Sequence, residues 1–290
     1  MRIEYHNGTG LLAVIGDPIA HSLSPLLQNT MIKALGRDDL YLAIQVARGG
    51  LPDFLQAAKT IGIRGFNLTM PHKEDVLPYL SEMTPEARRA GSVNTVRLED
   101  GRFIGHSTDG IGFRRALVDL DFSYQGKQVT ILGAGGAAKS IAKTAIDSGA
   151  AGITVLNRTL RRAENLCQGE PGMRALELSC ARAVLPETDL LVNTTPVGMA
   201  GTGTDGAFPD LQALKPGALA VDCIYAPAMT PFLAAARAQG HPVANGIGML
   251  VYQAIYAYAF FCGEVFDEDT VSRLGTLLLD ATGISLRGEP

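Results

Sequence analysis

The chain alternates short apolar runs with amphipathic stretches, punctuated by glycine, proline, serine and threonine. Residues 11–15 (LLAVI) form an apolar run of strand length closed by Gly16-Asp17-Pro18. Leu26, Leu27, Thr30, Met31 and Ala34 then recur at helical spacing, with Ser24 in the N-cap place, Pro25 at the first helical position and Gly36 as the stop. Residues 40–46 read as a second strand, 52–61 as a helix ended by Gly62, and 65–68 as a third strand. A short helix runs from Thr84-Pro85-Glu86 to Gly91, and residues 92–98, which include Asn94, pair as a hairpin with 103–107 across Glu99-Asp100-Gly101. A helix over 111–120 follows, for which Asp109 is the default N-cap. In the second half, residues 129–142 (VTILGAGGAAKSIA) place a strand, a glycine turn and a helix in direct succession. Further strands are predicted over 153–156, 189–193, 218–223 and 242–244, with a helix over 231–239 closed by Gly240 and a mobile glycine-rich loop over 200–208. Alternation of this kind predicts an α/β protein.

Composition narrows the class. The 290 residues, 47% of them hydrophobic, suffice for one large or two modest domains. A formal charge of -4 supplies no basic field for nucleic acid. The longest apolar run, 247–262, is short for a membrane span and is interrupted by Gln253, and the opening MRIEYHNGTG lacks a signal-peptide pattern. These features predict a soluble cytoplasmic protein with neither a nucleic-acid nor a membrane partner. The four cysteines (Cys167, Cys180, Cys223, Cys262) show no metal or redox spacing and read as small buried hydrophobes; no metal site is expected.

The glycine turn carries the first candidate chemistry. Gly133 and Gly135, with Ala138 in the third small position, permit a tight turn and close approach to a pyrophosphate, and the N–H groups of the following helix face the anion. About twenty residues on, where an NAD-binding chain carries an acid, this one has Asn157-Arg158-Thr159, with Arg161 and Arg162 close by. A guanidinium grips a 2′-phosphate that a carboxylate would repel, so the pattern points to NADP(H); the alternative is a solvated, arginine-decorated helix start. Ser22 and Ser24 suit a small carboxylate if the segment entering the helix is extended; otherwise Ser24 caps and Ser22 is solvated. Asn67, Thr69 and Lys73 cluster at a strand end, where open α/β sheets bind ligands. A lysine in a first helical turn opposes the helix dipole, which tilts the reading towards a functional Lys73, although on sequence pattern alone a solvated surface lysine is the commoner outcome. Gln253 interrupts an apolar helix and must find partners there. Tyr225 follows a strand, a position equally consistent with a core tyrosine.

Taken together, HSLSP (21–25), NLTMPHK (67–73), SVNT (92–95), STDG (107–110), GAGGA (133–137), NRT (157–159) and GMLVYQA (248–254) resemble the shikimate dehydrogenase family, in register from about residue 11 to 262. The resemblance implies an N-terminal α/β substrate domain (1–109 and 247–290), an NADP-binding Rossmann domain (110–246) and C-terminal helices that return to the first domain. It implies NADP(H)-dependent oxidoreduction of 3-dehydroshikimate and shikimate, with Lys73 as general acid and base beside Asp109. Ser22 and Ser24 would hold the substrate carboxylate, and Asn67, Thr69, Asn94, Asp109, Tyr225 and Gln253 its ring hydroxyls. Gly133, Ala134, Gly135, Gly136, Ala137, Asn157, Arg158, Thr159, Arg162, Thr194, Cys223 and Gly246 would bind the cofactor. Since oxidation of the alcohol returns a proton to Lys73, that direction is expected to have an alkaline optimum. Ser107 departs from the family's usual Asn, and the last helices lack the tryptophan of many relatives. Both changes leave the ring substituents open. A quinate or shikimate dehydrogenase, a related cyclitol-acid enzyme and a non-catalytic NADP(H) sensor are the alternatives, acting as a monomer or homodimer on a small molecule.

Overall fold

The computed structural model describes residues 6–200 and 208–288. Most of the loop expected to be mobile, residues 201–207, lies outside the described residues. The chain divides into two compact units, the first reaching Gly112 and resuming over Leu250–Gly283, the second spanning Phe113–Met249 and resuming at Ile284.

The first unit begins with β1 (Gly10–Gly16), α1 (Ser24–Ala34), β2 (Asp39–Gln45), α2 (Leu51–Ile61), β3 (Gly65–Leu68) and the single turn α3 (His72–Asp75). It continues through β4 (Glu82–Met83), α4 (Pro85–Ala90), β5 (Thr95–Glu99), β6 (Arg102–His106) and the start of α5 (Asp109–Val118). Its sheet has the order β2-β1-β3-β5-β6-β4. β1 pairs parallel with β2 and β3, while β5 runs antiparallel to both β3 and β6. The β5–β6 hairpin turns at Asp100 and Gly101, both with positive φ (49° and 74°), the pairing a two-residue type I′ turn requires. β3 is buried throughout, and Phe66 at its centre meets Phe54 and Phe103 edge-on at 5.1 and 5.9 Å.

The second unit contains β7 (Gln128–Leu132), α6 (Gly136–Asp147), β8 (Gly152–Asn157), α7 (Leu160–Cys167), β9 (Met173–Glu177) and α8 (Ala181–Val184). β10 (Leu190–Asn193), β11 (Leu219–Asp222), α9 (Pro231–Ala238) and β12 (Val243–Ala244) follow. Its sheet is wholly parallel, in the order β12-β11-β10-β7-β8-β9. Numbered within the unit this is the doubly wound order, with the reversal between β7 and β10. Apolar side chains from α6, α7 and the strands cover one face, and those of α9 with Leu185, Leu211 and Leu214 cover the other. The chain then enters α10 (Ile247–Cys262) and α11 (Glu268–Thr282).

Three expectations are corrected. The divisions expected after residues 109 and 246 fall three residues later in each case, inside α5 and α10, because the backbone crosses between units without breaking either helix. Residues after Gly283 join the second unit, not the first: Asn245 N–H donates to Leu286 O (2.9 Å) and its side chain to Ser285 O (2.9 Å). The cysteines are free but half-buried, not fully buried. No helix among the described residues is long and apolar enough to cross a membrane.

Candidate active site

In the first unit the polar residues gather where β3, β5 and β6 end or begin. Lys73, the second residue of α3, reaches Asp109, the first residue of α5, with Nζ to Oδ2 at 2.5 Å. The partners are 36 positions apart in sequence. Asp109 is only 3% exposed, so its charge depends on these partners for stabilisation. Its other oxygen, Oδ1, accepts from Asn94 Nδ2 at 2.9 Å. Asp109 is therefore not the N-cap expected: α5 starts with it, and Thr108 O accepts the first helical hydrogen bond, from Gly112 N–H at 2.9 Å.

Asn94 lies one residue before β5 instead of inside it, and its amide forms the hub. Nδ2 also donates to Thr108 Oγ1 (2.9 Å) and, at 3.3 Å, to Gln253 Oε1 on α10. Oδ1 accepts from Thr108 N–H (2.9 Å) and the Thr95 hydroxyl (3.0 Å). Gln253, at the limit of burial, donates to Leu250 O at 3.0 Å, so the polar interruption of α10 is answered partly by its own helix and partly by the hub. Asn67 donates to Asn94 O (3.0 Å) and Thr95 Oγ1 (2.9 Å) and accepts from Tyr41 OH at 2.6 Å. Burial pushes the Tyr41 phenol well above its ordinary pKa and keeps it protonated. Next to the hub, burial lowers the pKa of His106, which lies 2.8 Å from the Thr84 hydroxyl.

Ser22 and Ser24 lie at the start of α1, but not as the extended-entry argument supposed. Leu23 is already in the right-handed helical region and takes the cap position, and Ser22 Oγ accepts from Ser24 N–H at 3.2 Å. α1 has no side-chain cap, Ser22 lies one place before the cap residue, and Ser24 is the first helical residue. Thr69 is half-buried one residue beyond β3. Ser107 is buried immediately before Thr108. Tyr225 belongs to the second unit, half-buried after β11.

In the second unit the glycine turn sits at the reversal of strand order. Gly133 has φ +106°, and a Cβ there would lie 2.6 Å from Thr194 Oγ1, so only glycine fits beside the end of β10. Thr194 Oγ1 donates to Leu132 O at 2.7 Å, fastening β10 to β7. Gly135 is exposed, with open space where a side chain would stand, at the N-terminus of α6; the helix has neither a side-chain cap nor an acid in its first turn. Gly136 and Ala137 open that helix, and Ala134 precedes it. This cradle fits a pyrophosphate. Asn157 ends β8 and closes the next turn, Nδ2 to Thr159 O at 2.8 Å, and Arg158, Thr159 and Arg162 are exposed there. Arg161 instead approaches Glu164 at 3.9 Å. Cys223 and Gly246 meet: a Cβ on Gly246 would come 2.1 Å from Cys223 O.

The comparisons accord with this geometry. The family model described as the shikimate dehydrogenase substrate binding domain matches residues 14–96, and the one described as shikimate / quinate 5-dehydrogenase matches 116–198. A shikimate dehydrogenase (NADP(+)) of Geobacter metallireducens is 41% identical over 264 residues, covering 88% of this chain and 92% of that one. The chain belongs to the shikimate dehydrogenase family. Among solved structures of similar fold, the shikimate 5-dehydrogenase of Thermus thermophilus in complex with NADP(H) and shikimate has a TM-score of 0.80 at 35% identity, covering 93% of this chain and 100% of that one. The ligand-free 5-ketofructose reductase of Gluconobacter sp. strain CHM43 has a TM-score of 0.79 at 31% identity, covering 95% and 99%. The doubly wound second unit and the α/β first unit are thus folds this family member shares with proteins of both names.

Sequence reasoning missed several members of the site. Tyr41 read as an ordinary strand residue, and Thr95 and Thr108 as parts of motifs without roles of their own. A second buried cluster also went unread: Asp222 Oδ1 accepts from Asn193 Nδ2 and Ile224 N–H, both at 3.0 Å, and Oδ2 from the Thr230 hydroxyl at 2.7 Å. Burial raises the Asp222 pKa to about 6 against these hydrogen bonds. The available signal was a lone acid ending an apolar strand.

Proposed function

We propose that the protein is an NADP-dependent shikimate dehydrogenase that reversibly reduces 3-dehydroshikimate to shikimate, with Lys73 as general acid and base. The observation that carries this reading is the Lys73–Asp109 pair at 2.5 Å, held by Asn94 in a chain whose relatives are named shikimate dehydrogenases (NADP(+)). When bound, NADPH supplies the hydride that reduces the carbonyl carbon.

The chain's own residues then manage the proton. The Lys73 ammonium has three hydrogens and gives one to Asp109 Oδ2, leaving donors for a substrate oxygen. In reduction one of these passes to the carbonyl oxygen as charge develops there; in oxidation Lys73 takes a proton from the hydroxyl. Asp109 cannot turn freely away, because Asn94 occupies its second oxygen. Ser22 and Ser24 hold the substrate carboxylate beside the N-terminus of α1, and Thr69, Asn94, Tyr225 and Gln253 meet its hydroxyls. Gly133 to Ala137 hold the pyrophosphate, with Thr194 on the cofactor side beside them, Asn157, Arg158, Thr159 and Arg162 the 2′-phosphate side, and Cys223 and Gly246 the redox-active ring. The open N-terminus of α6 and the exposed arginines at the end of β8 support these assignments.

The test is turnover by purified protein on shikimate, quinate and 5-ketofructose, each with both phosphorylated and unphosphorylated nicotinamide nucleotides. Shikimate with NADP+ is expected to give the highest kcat/KM. Faster turnover of quinate with NAD+, preferential reduction of 5-ketofructose, or no turnover at all would refute the assignment.

A further inference from the structure

We propose that Tyr41, Asn67 and Thr95 form a buried file of positioning residues that sets the orientation of Asn94 and, through it, of the Asp109 carboxylate. The proposal rests on the reading of Lys73 and Asp109 as the proton-transfer pair, and it gives Asn67 a role other than contact with substrate hydroxyls.

The file starts on β2, an edge strand, and β1 lies between it and β3, so the Tyr41 side chain reaches across one strand to Asn67. Its hydroxyl donates to Asn67 Oδ1, fixing which end of that amide faces the tyrosine. Both hydrogens of Asn67 Nδ2 are then spent, on Asn94 O and Thr95 Oγ1. Turned by half a rotation, the amide would set its oxygen against Asn94 O. Because Thr95 accepts from Asn67, its own hydrogen is available for Asn94 Oδ1. Asn94 Oδ1, also held by Thr108 N–H, leaves Nδ2 facing Asp109. Every hydrogen therefore runs in one sense from Tyr41 towards the carboxylate, and Tyr41, Asn67, Thr95 and Asn94 are all buried. In such surroundings a chain of hydrogen bonds is stronger, and a missing member more costly, than in water.

Four variants test the file. Tyr41→Phe and Thr95→Val remove one hydroxyl each at nearly constant shape; Thr95→Ser restores the hydroxyl; Tyr258→Phe is the control, because Tyr258 is equally buried in the same unit and donates to Asp39 (2.7 Å) outside the file. For 3-dehydroshikimate reduction, Tyr41→Phe and Thr95→Val should lower kcat about tenfold with both KM values nearly unchanged. Thr95→Ser and Tyr258→Phe should keep wild-type kcat. The ¹³C resonance of the Asp109 carboxyl carbon should move in Tyr41→Phe and Thr95→Val and stay in place in Tyr258→Phe. Retained kcat or an unmoved resonance in the first two variants, or an equal loss in Tyr258→Phe, would overturn the proposal. A wild-type protein without turnover would refute the functional reading instead, and the resonance would still decide whether the file acts on Asp109.

Discussion

Lys73 meets Asp109 because the turn after β3 and the helix after β6 open at the same end of one sheet, two strands apart. On the proposed reading, a pair without its amine keeps a buried carboxylate and loses the proton source. Lys73→Ala should therefore lower kcat by about 10²- to 10⁴-fold while changing KM only severalfold, the range of general acid catalysis. Initial rates in both directions check this, and near-normal kcat would remove the mechanism. Arg158 is a different case: it is exposed at the end of β8, and on the proposed reading it contributes only when a 2′-phosphate is present. Charge-assisted hydrogen bonds are worth about 1.5–3 kcal/mol. Arg158→Asp should therefore erase about 10- to 100-fold of the preference for NADP+ over NAD+, measured as a ratio of kcat/KM values. An unchanged ratio would move the phosphate-binding role elsewhere.

At the scale of elements, the second unit is fastened where its strands end. β11 and β12 pair through only two residues each, and the chain leaves them at Cys223 and Gly246 in backbone contact, with Gly246 N–H donating to Ile224 O at 2.9 Å. A methyl group at 246 would meet a carbonyl, and relief requires the strand ends to part. Gly246→Ala should cost about 1–3 kcal/mol of stability, the usual cost of overpacking. The urea midpoint of the purified variant reads this directly; a wild-type midpoint would show that the contact yields freely. α4 and α9 illustrate elements set by local chemistry: Thr84 and Thr230 cap them from their side-chain oxygens, and Gly91 and Gly240 follow with positive φ. α1 shows the limit of that logic. The sequence offered Ser24 as its cap, but the helical backbone at Leu23 puts that residue in the cap position and leaves the helix without a side-chain cap, for which neither serine carries a signal.

At the scale of the whole molecule, the buried Asp222 couples stability to pH. Burial lifts its pKa from the ordinary 3.8 to about 6 in the folded chain, so the protonated form is favoured by folding. That contribution is complete below pH about 4 and is withdrawn as the pH rises through about 6, a loss of about 3 kcal/mol at most. An Asp222→Asn variant lacks this titration, so its stability relative to wild type should improve by up to about that amount between pH 4 and 7. Denaturation midpoints across that range test it, and parallel pH curves would refute it. The same cluster marks the boundary of what could be read from sequence. Apolar runs placed β1, β3, β7, β8, β10 and β11 to within a residue or so, because local periodicity reports the backbone region each residue prefers. β9 escaped, since its half-exposed residues carry no continuous apolar run. Motif order pointed to the family and to the glycine cradle. Hydrogen-bond partners were a matter for tertiary structure: Asn67 with Tyr41, Asn94 with Gln253 across 159 positions, and Asp222 with Asn193. A buried polar side chain pairs with whatever the strand order sets beside it, and strand order is a property of the assembled sheet, not of any window of residues.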